Sequence, residues 1–555
     1  MKIEQTDARM NEPVTAPAPL ASALLRLTES RRTSWHMPGH DGGFLLPEWL
    51  KVNLSAMDLT ELPSTDDLNR PEGPAREAME LAAAAFGAGI TRFITTGSTT
   101  AVQIMLALTV GRRGQILVSR CCHQSVVHAA AMLDLDVRFL PATGYAADPL
   151  QQDHKHRLAL LPQSTPADVI QAIQTNPGCR AILLTSPDYY GSCANVRQIA
   201  HIAHDAGALL IVDEAHGAHL SFCRDLLPES AMLSGADVCV QSGHKTLPVL
   251  TQGAYLHVSA AALSEGRLDR ADLDRLIPVF QTSSPSFPIA ATLDFARAYL
   301  VNHGDKLVRR QKEHHDRFAA ALPREWMCQP WRLKSERILH DQATRFDSSQ
   351  EVTCDPLRLV LTVRDPEQVF HIKEQASRLA AAGIDIEFAD LTRLVLIPSL
   401  GQPCANWQQL AENLRAPEPG VGGIGQKATA EKNRAQSARL LMLEDAWRCL
   451  LAEPPERVTS PGEALFGMDF SSGLPKASPI ISDKRQSSGR SLRQVLLEES
   501  AGCIAAAAIL PYPPGIPLVW PGERLDQMRV DFLRELSENR TSISGIVQGK
   551  LLVLV

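Results

Sequence analysis

Between about residue 85 and residue 260 the chain alternates short apolar runs with stretches of helical periodicity, and this alternation limits the fold more than any other feature. The runs at 115–119, 181–186, 208–213, 237–241 and 254–258 are five or six residues long and mostly aliphatic, with little of the polar alternation of a strand wetted on one face. Strands of this kind belong to a sheet covered by helices on both sides, and amphipathic stretches such as 196–206 supply the cover. The expectation is an α/β fold with a doubly wound, mainly parallel sheet. In such sheets ligands sit beyond the carboxyl ends of the strands, so the polar residues that directly follow each run are where chemistry is expected.

At 555 residues the chain exceeds what one core usually organises. It divides into an N-terminal segment (1–30), a ligand-binding large domain (31–295) and a small α/β domain (296–415). A linker rich in Pro, Gly and charge (416–438) and a C-terminal α/β domain (439–555) follow, the last carrying a low-complexity insert at 471–491. A helix over 290–302 leads into the small domain, whose strands are expected at 357–363 and 394–398 with a helix over 367–382 between them. The net charge of −7 argues against nucleic acid or an anionic membrane as the main partner, although it leaves room for a local basic patch. No apolar run approaches the ~20 residues that span a bilayer, and the polar N-terminus shows no secretory signal. Eleven scattered cysteines, an odd number, fit reduced thiols in a cytoplasmic protein better than a disulfide framework. Cys121-Cys122-His123 has no second ligand pair at zinc spacing, so no metal site is expected.

The residues after the runs point to one chemistry. Lys245, in QSGHKTL (241–247), stands at the carboxyl end of the run 237–241. A lysine amine there can hold pyridoxal phosphate (PLP) as a Schiff base. Ser242, His244 and Thr246 can donate to a phosphate, and Gly243 lets backbone approach it. Asp213 ends the run 208–213, and a buried carboxylate costs several kcal/mol unless it is paired. A protonated pyridine nitrogen would pair it; capping of the next helix is the other role open to it. Thr96-Gly97-Ser98-Thr99-Thr100 precedes an apolar helix and can cradle a phosphate or cap that helix. His123, following 115–119, can stack on a pyridine ring or serve the structure alone.

With these residues in view, the chain resembles the Orn/Lys/Arg decarboxylases, PLP enzymes of aspartate-aminotransferase fold. HMPGHDGG (36–43) is similar to that family's HxPGHKxG, and DLTELPSTDDLNRPEGPAREA (58–78) to its DxTELPGLDDLHxPEGPIxEA. TTGSTTAVQIM, CCHQSVVHAA, TSPDYYG, VDEAHGAH and QSGHKTLPVLTQGAYLHV follow in family order, and PYPPGIPLVWPGE (511–523) resembles the C-terminal signature. The resemblance implies a PLP-dependent transferase-like fold and α-decarboxylation of a basic amino acid. Lys245 is then the Schiff-base lysine and Asp213 the partner of the pyridine nitrogen. Gly97, Ser98, Thr99, Ser242 and His244 match phosphate ligands, His123 the ring-stacking histidine, and His216 lies close to the cofactor. Ser284, in TSSPSFPIAA (282–291), matches a position that reaches a partner subunit's phosphate, which implies at least a homodimer. Lys245 or His244 would return a proton to Cα. The motifs begin near residue 34, as in the short form of the family without its N-terminal wing.

Four departures bear on substrate and cofactor. Asp41 replaces a lysine, Asn69 or Arg70 a histidine, Gln124 a lysine and Gly243 a threonine. Glu523, Asp66 and Asp67 are the candidate acceptors for the substrate's distal cation, and Asp41 is either another or a solvated loop residue; arginine or lysine is favoured over ornithine. Transamination, β-elimination and a catalytically silent PLP-binding protein are the competing readings.

Overall fold

The computed structural model describes residues 18–30, 32–143, 161–331, 353–414, 424–466 and 492–554. Its largest sheet has seven strands: β1 (Ile90–Ile94), β2 (Gln115–Ser119), β3 (Asp136–Leu140), β4 (Ala181–Thr185), β5 (Leu209–Asp213), β6 (Val238–Gln241) and β7 (Ala254–Val258). They lie in the order β1-β7-β6-β5-β4-β2-β3. Every neighbouring pair is parallel except those made by β7, which runs against both β1 and β6. The five expected runs are therefore strands to within a residue or two, and the sheet is the mainly parallel, helix-covered one that uniform apolarity implies. The helix Gly97–Thr109 packs its apolar face on this sheet, and Val196–Asp205 does the same from another core cluster. β3 escapes a reading based on uniform apolarity because it alternates Asp136, Val137, Arg138, as an edge strand does.

A second sheet, wholly antiparallel, joins Trp326–Cys328, Leu359–Val363, Leu394–Leu396 and Phe388–Ala389. Thr33–Trp35 pairs in parallel with Ile384–Ile386 beside it. Trp35 is fully buried there, edge-on to Trp407 at 4.9 Å. A stretch assigned by sequence to the large domain thus completes the small one. The C-terminal region is a third sheet, Leu492–Leu496, Lys550–Leu554 and Ile504–Ala505, with the helix Gln527–Glu538.

Two expected boundaries are corrected. The helix expected over 290–302 runs from Phe287 to Ala321, so a border at residue 295 falls inside it. Gly304 does not break it, because the missing side chain lets the helix approach Phe222; a Cβ there would sit 2.7 Å from Phe222 Cβ. The expected linker at 416–438 is helical from Ile424, within the helix Ile424–Ala452. Its Ala-, Lys- and Glu-rich composition after Gly425 favours helix once Leu440, Leu443 and Leu450 pack into the core. The insert at 471–491 lies outside the described residues.

Candidate active site

Asp213 is the last residue of β5, and Lys245 sits in the short turn Gly243–Thr246 that leaves β6. Because these two strands are neighbours, the register that aligns Asp213 with Val240 brings both side chains to one cavity. That cavity is lined by Ser98, His123, Asp213, His216 and Lys245, among others. Burial pushes the Lys245 amine down to about 8, against the opposing pull of Asp213. Burial likewise raises the Asp213 carboxyl, which Lys245 and a hydrogen bond from the Ala215 N–H (3.1 Å) counter.

The histidines differ in what they face. His123 caps the helix Gln124–Met132, its Nδ1 accepting from the Ser125 N–H at 3.2 Å; burial pushes it down to about 3, so it enters the cavity as a neutral ring. His244 turns away to donate Nδ1–H to the Gly253 carbonyl at 3.1 Å, which is a positioning contact for the turn that carries Lys245. His216 Nε2 lies 3.0 Å from Lys245 Nζ, and the ring of Tyr189 stands edge-on to it at 4.8 Å.

The donor set suits a phosphorylated pyridine aldehyde. Ser242 Oγ, Thr246 Oγ1 and Thr96 Oγ1 are buried without a hydrogen-bond partner among the described residues. Buried hydroxyls of this kind are rarely left unsatisfied, and a phosphate would satisfy them. Thr96 directly precedes Gly97 (φ 91°), which opens the helix Gly97–Thr109; Ser98 lines the cavity, while Thr99 is exposed. Gly243, where a threonine is expected, is explained by packing: a Cβ would lie 2.9 Å from Leu293 Cδ2 and 3.1 Å from Tyr255 Cε2. Gly243→Thr is therefore expected to destabilise the fold by about 1–3 kcal/mol by overpacking, rather than strengthen cofactor binding. A urea titration with and without cofactor separates the two.

Two of the expected substrate carboxylates are already in use. Glu523 is fully buried in a bidentate pair with Arg120 (2.6 and 2.8 Å) and accepts the Trp520 N–H at 2.7 Å. Asp66, at φ 75°, accepts the N–H groups of Asp67, Glu72, Gly73 and Ala75, which folds its own loop and opens the helix Pro74–Phe86. Neither has acceptor capacity to spare for a cation, a fact that position within a motif does not convey. Asp67 Oδ1 accepts from the Asn69 N–H at 2.7 Å. Asp41 is half-buried, its carboxyl raised by burial, with Ser399 Oγ 3.4 Å away. Asn69 ties its loop to Gln281 and Thr282, and Ser284 is exposed, outside its own chain's cavity.

Several groups at the site escape sequence reasoning. Arg358 donates to His216 Nδ1. Tyr189 O–H donates to Glu387 Oε1 at 3.0 Å. Pro514, Gly515 and Ile516, from the C-terminal signature, close one wall of the cavity. The string TSPDYYG carries Tyr189, but an isolated arginine before an apolar run gives no local signal for Arg358.

A lysine and a carboxylate meeting beyond the strands of a doubly wound sheet, beside unsatisfied hydroxyls, define the class: an enzyme of carbonyl-cofactor chemistry on an α/β scaffold. A family model for the Orn/Lys/Arg decarboxylase major domain matches residues 18–400, and one for the C-terminal domain matches 478–548. The chain belongs to the Orn/Lys/Arg decarboxylase family. The YaaO protein of Bacillus subtilis strain 168 is 30% identical over 549 residues, 97% of this chain and 98% of its own. An arginine decarboxylase of Bacillus anthracis is 27% identical, over 95% and 94% of the two chains. The solved structure of lysine decarboxylase A from Pseudomonas aeruginosa shares the fold, with TM-score 0.70 at 21% identity over 97% of this chain and 80% of that one. Among the described residues no helix is long and apolar enough to cross a membrane.

Proposed function

We propose that the chain removes the α-carboxylate of a basic amino acid as carbon dioxide, with arginine or lysine ahead of ornithine and pyridoxal 5'-phosphate as cofactor. The observation that carries the reading is the meeting of Lys245 and Asp213 in one cavity at the ends of adjacent strands, with the buried hydroxyls of Ser242 and Thr246 flanking Lys245 in its turn. The bound cofactor supplies an electron sink for the carbon that loses carbon dioxide. Lys245 would anchor it, Asp213 would hold a proton on its ring nitrogen, and His123 would lie against the ring. Asp213 can do so because its burial offers little other solvation for its charge. Pro514, Gly515 and Ile516 exclude water from one side, which favours loss of charge from the carboxylate.

The distal cation needs an acceptor. Glu387 accepts from Tyr189 O–H and, at 3.0 Å, from the Met37 N–H, and it forms no ion pair among the described residues. It joins Asp41 and Asp67 as a carboxylate open to a guanidinium or ammonium. In the homodimer that the resemblance implies, Ser284, exposed in its own chain, would reach the partner subunit's cofactor phosphate.

The purified chain, given PLP, is expected to release carbon dioxide together with agmatine, cadaverine or putrescine from arginine, lysine or ornithine respectively. Keto-acid formation without carbon dioxide would instead establish transamination or β-elimination. Cofactor absorbance with no turnover would establish a silent binder.

A further inference from the structure

Arg358 precedes the small-sheet strand Leu359–Val363, and its side chain is completely buried. Gly191 makes the space: at φ 93°, a Cβ there would lie 2.7 Å from Arg358 Cβ. Arg358 Nη2 donates to His216 Nδ1, while Nε and Nη1 have no hydrogen-bond partner among the described residues. The carboxylate of nearby Asp355 is engaged by His219 Nε2 and the Leu357 N–H, both at 3.0 Å.

A guanidinium offers donors only and keeps its charge in proteins. His216 Nδ1 must therefore accept, and a neutral imidazole that accepts at Nδ1 carries its proton on Nε2. That proton faces Lys245 Nζ, 3.0 Å away. Only an amine with a free lone pair can receive it, since an ammonium has none. We infer that Arg358, acting through His216, is a positioning residue that holds Lys245 as the neutral amine able to capture the cofactor's aldehyde.

The capture step shows why the form matters. The Nζ lone pair adds to the aldehyde carbon, the carbon–nitrogen double bond forms, and the carbonyl oxygen leaves as water with the two Nζ protons. An ammonium cannot begin this sequence. The other groups around Nζ act in known directions. Asp213 on β5 and Glu387 in the small domain favour the ammonium, whereas burial and Arg358 oppose it. His123 and His244 are pushed down to about 3 and about 4, both by burial first, and so add no charge near neutrality. Tyr189, its phenol raised by burial and by Glu387, stays neutral as well.

The test follows capture of PLP by the full chain freed of cofactor, read as growth of the visible imine absorbance across a pH series. In the wild type the rate should rise with pH about a midpoint near 8. Arg358→Met removes both the charge and the donor, so the midpoint should rise by about one unit and capture at pH 7 should slow about tenfold. His216→Leu should move the midpoint the same way, and Arg358→Lys, which keeps a charged donor, should return it toward the wild type. The cofactor's own ionisations are common to all variants and cancel in the comparison. A merely structural role would lower the folded fraction, monitored by circular dichroism, without moving the midpoint. An unmoved midpoint in folded Arg358→Met overturns the inference, and His216→Leu decides the matter if Arg358→Met does not fold. The inference rests on Lys245 being the cofactor anchor. A wild-type chain that takes up no PLP sinks that reading and this one together, whereas capture with an unmoved midpoint sinks this one alone.

Discussion

Lys245→Ala is expected to lower the decarboxylation rate by on the order of 10³-fold or more while leaving the fold intact. The side chain sits in a turn whose conformation is fixed by other contacts: His244 to the Gly253 carbonyl, the Leu247 N–H to the Gly243 carbonyl, and the Gly39 N–H to the His244 carbonyl. Removing an amine that burial already destabilises as a cation should cost little, and the unfolding free energy from urea titration should change by less than about 1 kcal/mol. The proposed phosphate cradle at Ser242, Thr246 and the start of the helix Gly97–Thr109 remains, so PLP should still bind, with its free-aldehyde absorbance in place of the imine band. The expected outcome is therefore a folded, cofactor-binding and nearly inactive variant. Full activity in Lys245→Ala would end the assignment of the anchor.

The parts of this site that can be read from sequence are those set by local rules. A short, uniformly apolar run followed at once by a polar residue places that residue at a strand's carboxyl end, and this rule alone locates Asp213 and Lys245. The hydroxyls after β1 and β6 are readable for the same reason. Groups brought in over long sequence distances are not. Arg358 reaches His216 across 142 residues, and Glu387 reaches Tyr189 across 198, by the docking of one sheet on another, which leaves no trace in either local pattern. The same limit explains the errors. Glu523 and Asp66 look like free carboxylates in a motif, and only the fold shows one paired to Arg120 and the other saturated by backbone. Charge and hydrogen-bonding capacity belong to a residue's neighbours as much as to its type, so acidic positions in a motif are weaker guides to substrate than a lysine after a strand is to cofactor.

Glu523→Ala is expected to destabilise the protein by about 3–5 kcal/mol, because it strands Arg120 as an unpaired charge in the interior. Both partners are essentially without solvent contact, and among the described residues Arg120 is otherwise held by the Leu518 carbonyl at 2.7 Å and by the face of Phe139, 4.4 Å from its guanidinium carbon. Replacing both ends with apolar residues, Arg120→Met with Glu523→Leu, removes the stranded charge and should recover most of the lost stability, since a buried pair contributes little beyond its own desolvation. The cycle of single and double variants in urea measures this coupling directly. The pair has a second consequence, because it joins two walls of one cavity. Arg120 directly precedes Cys121, Cys122 and His123, and Glu523 closes the segment that carries Pro514, Gly515 and Ile516. The double variant should therefore be stable yet show a raised KM and weaker exclusion of water, as the C-terminal wall loses its fixed distance from His123. Wild-type stability in Glu523→Ala would show that the pair does not hold the two regions together, and an unchanged KM in the double variant would show that it does not set the cavity.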